Sequence, residues 1–530
     1  MKSVGMRPAL GIGRPTLCAI LAVTTLGAVV RAFPVIAAGF PLNDGGLFVE
    51  MIAAVRAGGY HLPETVAYNG LQIPFAYPPA GFFVGAAWAD LTGMSLINTV
   101  RVVPLIFSIF SVPLAFAVYR PLLGTDARAV AATAGFALMA RSYNWQITGG
   151  GVTRSLGLLL ALTAVAACVQ MYRRPHAGWW PILTGTAAGL CALSHPQAAV
   201  FVGVSMLAMV PFSPIGWRTA ALRLIASVGV AAVVLSPWLV TVVGRHGWST
   251  LLGAAQTGGG IQESLILFFT FRFSDGFVEM LGIIGAFGLF VCIVNRQWLF
   301  PVWAALVFLV GSRAGLTYAT VPVAGAMAYA LLDAFRWLRV REPVTTPDLF
   351  RPRRAAALIV VLLVAGVADS LASRYDPGSP LEPLSDNSRA AMAWAAAKTA
   401  DDATFLVAAG EPWQLDAVSE WFPVLAGRRS LATVQGWEWL GPGRFREQER
   451  RNQWLLNCAA LTENDCAAEW TRVVEAVDYV FVTEGDRAAN LGHPCCLQLA
   501  DRLVDSGGRL AFSQGDVRIV QVAGDAEAAP

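Results

Sequence analysis

The chain has 530 residues, of which 56% are hydrophobic and only 14% charged, with a mean hydropathy of +0.56. Ordinary soluble domains carry about 25% charged residues, so a soluble enzyme is excluded. The net charge of +3 hides a division: residues 1–373 carry a net +12 on few charges, whereas residues 374–530 carry −9 on many. This predicts a membrane module over 1–373 followed by a soluble domain over 374–530. No basic patch interleaved with aromatic residues occurs, which excludes nucleic acid as a partner.

A membrane-crossing helix needs about 17–25 apolar residues. Eleven such spans are expected, at 17–33, 98–121, 126–141, 153–172, 179–194, 197–213, 220–243, 277–294, 297–311, 316–334 and 354–371. With the amino terminus in the cytoplasm, the inner segments carry Lys2, Arg7, Arg14, Arg120, Arg128, Arg173, Arg174, Arg218, Arg223, Arg296 and the cluster Arg336 to Arg354, offset by Asp126, Asp333, Glu342 and Asp348. They hold a net +12 against about zero outside, which orients the chain in the plasma membrane with 374–530 extracytoplasmic. An amino-terminal signal peptide is the alternative reading of the first basic and apolar segment, but the many later spans favour a retained anchor.

The long first outer loop, 34–97, opens on Phe40-Pro-Leu-Asn-Asp-Gly-Gly-Leu-Phe48. Segment 47–57 reads as an amphipathic helix with Leu47, Phe48, Met51, Ile52 and Val55 on one face. The apolar stretch 74–92 would invert every later loop if it crossed. Its Pro78-Pro79 start, Asp90 and Thr92 instead suit a helix in the outer interface.

Asp44, on the Gly-rich turn before 47–57, is placed to act as base on a hydroxyl or to help hold a cation; alternatively, Asn43 or Asp44 merely caps the helix. The second outer loop holds Gly149 to Gly151 and Arg154, a pattern that suits a lipid phosphate at a helix start or a simple flexible turn. His195 ends the fifth span, where it can bond a phosphate or act as a polar cap. Loop 244–276 adds Arg245, His246, Trp248, Arg272 and Asp275, with Glu279 just inside the next span. The two cations suit a donor phosphate, and Asp275 or Glu279 is the candidate second carboxylate.

Beyond Pro377, Pro380 and Pro383 the pattern changes to short strands at 404–408, 478–482, 509–512 and 517–522. Helix-like stretches at 386–399, 444–457, 465–477 and 496–505 separate them, which predicts a small α/β domain. Its Cys458, Cys466, Cys495 and Cys496 form an even set, expected as two disulfides; a zinc site near His493 is the alternative. Glu420-Trp421-Phe422-Pro423 and Gln435-Gly-Trp437-Glu438-Trp439 suit stacking on sugars or a core facing the membrane module.

A first span, an outer loop opening with an acid, Tyr77-Pro78-Pro79 before a membrane-parallel helix, and then about six more spans resemble the GT-C class of integral-membrane glycosyltransferases. Within that class the chain is similar to the protein-mannosyltransferase-like and aminoarabinose-transferase-like families, over about 17–243. The resemblance implies a polyprenyl-phosphate-linked sugar as donor, a glycan, lipid or protein acceptor, and a catalytic or metal-associated role for Asp44. Oligosaccharyltransferase members place an acidic motif in the second outer loop; 140–154 has none, so a divalent metal is an option rather than an implication. The outer loops also lack an Asp-x-Asp pair, and the short inner loops leave no room for a nucleotide-binding domain. A transporter or flippase, or a non-catalytic partner in envelope assembly, is the rival reading of so many spans, but transporters place ionisable groups near the bilayer midplane.

Overall fold

The computed structural model describes residues 12–174, 176–256, 279–310, 315–337, 364–370, 372–374, 379–460, 477–483 and 496–522. The chain begins with α1 (Arg14–Ala38), which ends at Gly39, whose φ of 66° supplies the left-handed stop that side chains resist. Next come α2 (Gly46–Ala57), a hairpin of β1 (Thr65–Tyr68) and β2 (Leu71–Pro74), and α3 (Ala80–Thr92). The hairpin turns on Asn69-Gly70, both at positive φ, as a two-residue turn matched to strand twist requires.

The bundle continues through α4 (Leu96–Leu123), α5 (Asp126–Leu138), α6 (Gly151–Arg173), α7 (Trp180–Ala192), α8 (Pro196–Met209) and α9 (Trp217–Ala255), the last kinked at Gly247. Then follow α10 (Met280–Val294), α11 (Leu299–Val310) and α12 (Gly315–Trp337). A helix therefore stands at each of the first ten expected spans; of the eleventh, only 364–370 is described, and it is helical.

Among the described residues, five helices are long and apolar enough to cross a membrane by length and composition: α1, α4, α6, α9 and Gly315–Leu332 of α12. Pro196–Phe212, α10 and α11 are shorter apolar helices. With 13 residues each, α5 and α7 reach only about 20 Å at 1.5 Å per residue, less than a hydrocarbon core. At 13 residues α3 is equally short, and it packs on α2, α4 and α6 after the Pro78-Pro79 break.

Residues expected on inner loops gather at one end of the bundle. There Arg120 pairs with Asp126 at 2.9 Å, Thr16 donates to Asp126 at 3.0 Å, and Arg173 donates to the Pro121 carbonyl. The Arg336 to Arg354 cluster lies outside the residues whose side chains are described.

The C-terminal portion contains α13 (Asp386–Lys398), β3 (Thr404–Ala408), α14 (Ala417–Leu425), β4 (Arg429–Ser430), α15 (Pro442–Ala460), β5 (Tyr479–Thr483), α16 (Leu497–Asp505), β6 (Arg509–Gln514) and β7 (Val517–Gln521). Its sheet runs β4-β3-β5-β7-β6, parallel across β4, β3 and β5 and antiparallel across β5, β7 and β6. Buried Phe405, Val407, Phe481 and Ile519 of this sheet share one core with Leu47, Met51 and Ile52 of α2, Phe82 of α3 and Val152 of α6. Trp421 and Phe422 of α14, which carries no strand and was not expected from the sequence, fill its centre. That shared core is what fixes the α/β portion against the first loop and the bundle.

Candidate functional site

The site is built where the chain leaves α1. Asn43 sits at a φ of 51°, held by its N–H on the Glu382 carbonyl at 2.8 Å and its Nδ2 on the Gln414 carbonyl at 3.1 Å. The indole Nε1 of Trp421 donates to the Asn43 carbonyl at 3.0 Å. At Gly45 φ reaches 133°, a conformation closed to residues with a Cβ, and a Cβ there would meet Gly149 and Trp421. Gly45, rather than Asn43 or Asp44, is the N-cap of α2, and no side chain caps that helix.

Asp44 is thereby freed from capping its own helix and turns to another. Its Oδ1 accepts from the Gly150 N–H at 2.8 Å, and its Oδ2 from Arg154 Nη2 at 2.5 Å. Gly150 is the N-cap of α6, so the carboxylate also meets the positive end of that helix. The glycines are there for closeness: a Cβ at Gly149 would run into the Asp44 carbonyl oxygen, and one at Gly150 would crowd the Asp44 carboxylate, Phe48 and Arg154. The expected phosphate cradle at Gly149 to Gly151 is otherwise engaged. Gly149 donates to the Leu42 carbonyl, Gly150 to Asp44 and Gly151 to the Thr148 carbonyl.

Arg154 is steadied by Thr148 Oγ1 at 2.9 Å and lies over the Trp145 ring, 5.4 Å from its centroid. Tyr77 closes the adjoining wall. Its hydroxyl meets Thr153 Oγ1 at 3.2 Å, and its ring stands edge-on to Phe48, Phe82 and Trp439. His195 is buried at the start of α8, with Nδ1 3.2 Å from the Tyr318 hydroxyl of α12. Its neighbour Ser194 donates to the Thr153 carbonyl, so it stands one layer behind Arg154 rather than beside Asp44.

Arg245 and Glu279 are not brought to Asp44. Arg245 donates to the Leu62 and Pro63 carbonyls at 3.0 and 3.2 Å, on the flank of the first loop. Glu279 is fully buried and accepts from the Arg141 N–H at 2.9 Å, beside Asp369, which caps α10 through Met280 and Leu281. Glu279 thus belongs to a separate polar cluster. Arg272 and Asp275, together with Cys466 and Cys495 and the Cys458 side chain, lie outside the described residues; Cys496 is buried at the start of α16.

A second carboxyl at the site comes from the C-terminal portion. Glu420 of α14 accepts the Gly45 N–H on Oε1 at 2.8 Å, and its backbone carbonyl accepts from the Tyr68 hydroxyl at 2.7 Å. Burial, and then the charge of Asp44, push its carboxyl up to about 8, against the opposing pull of the Gly45 N–H and Arg154. The sequence displayed Glu420 beside two aromatics, but nothing local signalled that it would reach residue 45.

For a divalent metal the donor set is poor. Both Asp44 oxygens are taken by donors, one of them a guanidinium, and among the described residues no three His, Cys, Asp or Glu side chains are grouped to hold an ion.

No family model and no curated protein sequence matches the chain. Solved structures do match in fold. An archaeal oligosaccharyltransferase from Archaeoglobus fulgidus, in complex with an inhibitory peptide and a dolichol-phosphate, aligns with a TM-score of 0.60 at 14% identity, over 89% of this chain and 69% of that one. ArnT from Cupriavidus metallidurans, bound to undecaprenyl phosphate, aligns at 0.53 and 14% identity over 97% and 98%. The arabinofuranosyltransferase AftD from Mycobacteria aligns at 0.52 and 14% identity over 98% of this chain and 42% of that one. These three proteins are GT-C glycosyltransferases, and the likeness spans both the helical bundle and the α/β portion. The chain has the GT-C glycosyltransferase fold.

Proposed function

We propose that the protein is a membrane glycosyltransferase that moves a sugar from a polyprenyl-phosphate donor to a glycan, lipid or protein acceptor outside the cytoplasm. The observation that carries the reading is the Asp44 carboxylate, docked on the α6 N-terminus and Arg154 within a GT-C fold. Asp44 orients the acceptor hydroxyl and draws on its proton as the oxygen attacks the anomeric carbon. Arg154, paired with Asp44, balances charge on the departing lipid phosphate, while His195 lies behind it. Arg245, on the flank of the first loop, is the candidate for holding the phosphate farther out; Arg272 is a further candidate for the phosphate and Asp275 for an additional carboxylate. Burial with the Arg141 N–H suits Glu279 to a supporting role. Solved neighbours that hold dolichol-phosphate and undecaprenyl phosphate support a lipid-phosphate donor.

The test is transfer by purified full-length protein in detergent, offered labelled polyprenyl-phosphate sugars and nucleotide sugars separately. Turnover is expected with the lipid donor and lost in Asp44→Asn, whose amide still accepts from Gly150 but neither pairs with Arg154 nor takes a proton. Turnover of a nucleotide sugar without polyprenyl phosphate would refute the mechanism.

A further inference from the structure

We propose that Glu420 is the second carboxyl of the transfer site and the group on which the acceptor's proton comes to rest. The inference rests on the glycosyl-transfer reading and extends it to the α/β portion of the chain.

The step balances as follows. The acceptor O–H bond breaks and its oxygen bonds the anomeric carbon. The bond from that carbon to the phosphate oxygen breaks, its electron pair leaving on the polyprenyl phosphate. The proton passes to the pair of carboxyl groups, of which Glu420 keeps it until it is released to solvent.

Three observations support the assignment. Asp44 has each oxygen already engaged, one by Gly150 and one by Arg154, and so it is better placed to orient a hydroxyl than to store its proton. Glu420 has Oε1 engaged by the Gly45 N–H, and among the described residues no hydrogen bond reaches Oε2, although the residue is just 6% exposed. Oε2 is not sealed from solvent, so it is free to take a proton and to pass it on to water. The charges around it also favour proton uptake in the neutral range. Asp44 from the turn and Glu438 from the Trp437–Leu440 turn raise its affinity, and Arg154 of α6 and the Gly45 N–H lower it. Tyr68 of β1, which donates to the Glu420 backbone carbonyl, lies in turn within the field of Glu438, Glu50 of α2 and Asp416 at the α14 N-cap. A proton acceptor works best when its affinity lies near the operating pH.

The plainer account is that Glu420 latches α14 to the Gly45 turn. A latch needs only an acceptor oxygen, which glutamine also has, and that difference makes the two accounts separable.

Full-length wild-type protein, Glu420→Gln and Glu438→Gln are to be assayed in detergent with a labelled polyprenyl-phosphate sugar from pH 6 to 9.5, with thermal unfolding as the folding control. For wild type, kcat should rise with pH about a midpoint near 8. Glu420→Gln is expected to keep its melting temperature at acidic pH and the KM for donor, to lose ~10²-fold or more in kcat, and to lose the rising limb. Glu438→Gln, which preserves the acceptor for the Gly436 N–H, should keep maximal kcat and move the midpoint to lower pH. Wild-type kcat with an unchanged limb in Glu420→Gln overturns the proposal and leaves the latch. If that variant misfolds, an unmoved midpoint in Glu438→Gln overturns it independently. A wild-type protein silent with every lipid-phosphate sugar overturns the transfer reading itself, whereas an active wild type with an unaltered profile in both variants overturns only the role of Glu420.

Discussion

Replacing Gly149 by alanine tests the site through a single methyl group. Gly149 has no positive φ, so alanine brings no backbone strain, and its effect is steric. The new Cβ would overlap the Asp44 carbonyl oxygen and lie 2.8 Å from its carbonyl carbon and 2.9 Å from Gly45 Cα. Ordinary contacts of a Cβ begin near 3.4 Å, so the Asp44 turn and the α6 turn must separate by about 1 Å or more. The bonds from Gly150 and Arg154 to Asp44, at 2.8 and 2.5 Å, would then stretch past hydrogen-bonding range. Overpacking of this kind costs ~1–3 kcal/mol, and a displacement of that size in a positioned group costs ~10²-fold in rate. Thermal unfolding in detergent and lipid-donor transfer read the two effects. Gly178→Ala is the control, since a Cβ there meets nothing within 4 Å. A Gly149→Ala protein with wild-type melting and wild-type turnover would show that the close approach of the two turns has no part in holding Asp44.

Other expectations follow from the same geometry. Trp421→Ala removes a fully buried indole and its bond to the Asn43 carbonyl, and should destabilise the protein by ~3–5 kcal/mol and lower transfer with it, read by denaturant titration. Glu420 and Asp416 are both raised by burial, to about 8 and about 6, above the ~4 of an unfolded chain. Their native forms therefore bind protons more tightly, so their stabilising contribution is complete at acidic pH and is lost as pH rises through about 6 and then about 8. Melting temperature should fall from pH 5 to pH 9, and less steeply in Glu420→Gln; an identical slope in the variant would remove Glu420 as a cause. Mass spectrometry without reductant should find Cys458, Cys466, Cys495 and Cys496 in two intramolecular disulfides, and four free thiols would refute it. Reporter fusions at 345 and 400 should fall on opposite sides of the membrane, the same side for both being the refuting result.

Much of the architecture was legible because its cause is local. Apolar runs mark the helices from α1 to α12, since burying a helix in lipid or among its neighbours needs continuous hydrophobic surface. Short apolar and β-branched runs mark β3, β5, β6 and β7 to within a residue or two, and the Asp44 turn stands out because Asn-Asp-Gly-Gly interrupts an apolar sequence. Even so, α5 and α7 read as crossings although they end after 13 residues, because their flanking turns are themselves apolar.

What the sequence by itself determined is thus a membrane protein with a GT-C-like order of segments and an acid at residue 44. Only the tertiary structure decided how that acid is held and which groups share its site. Arg154 and Gly150 reach Asp44 across more than 100 residues, and Glu420 reaches Gly45 across 375. No periodicity encodes such pairings: they exist because one hydrophobic core, filled by Trp421 and Phe422, presses α14 onto the turn after α1. Arg245, although α9 packs on the same core, turns to the Leu62 and Pro63 carbonyls, and Glu279 joins Arg141 and Asp369 elsewhere, although in sequence both stood beside outer loops as Arg154 does.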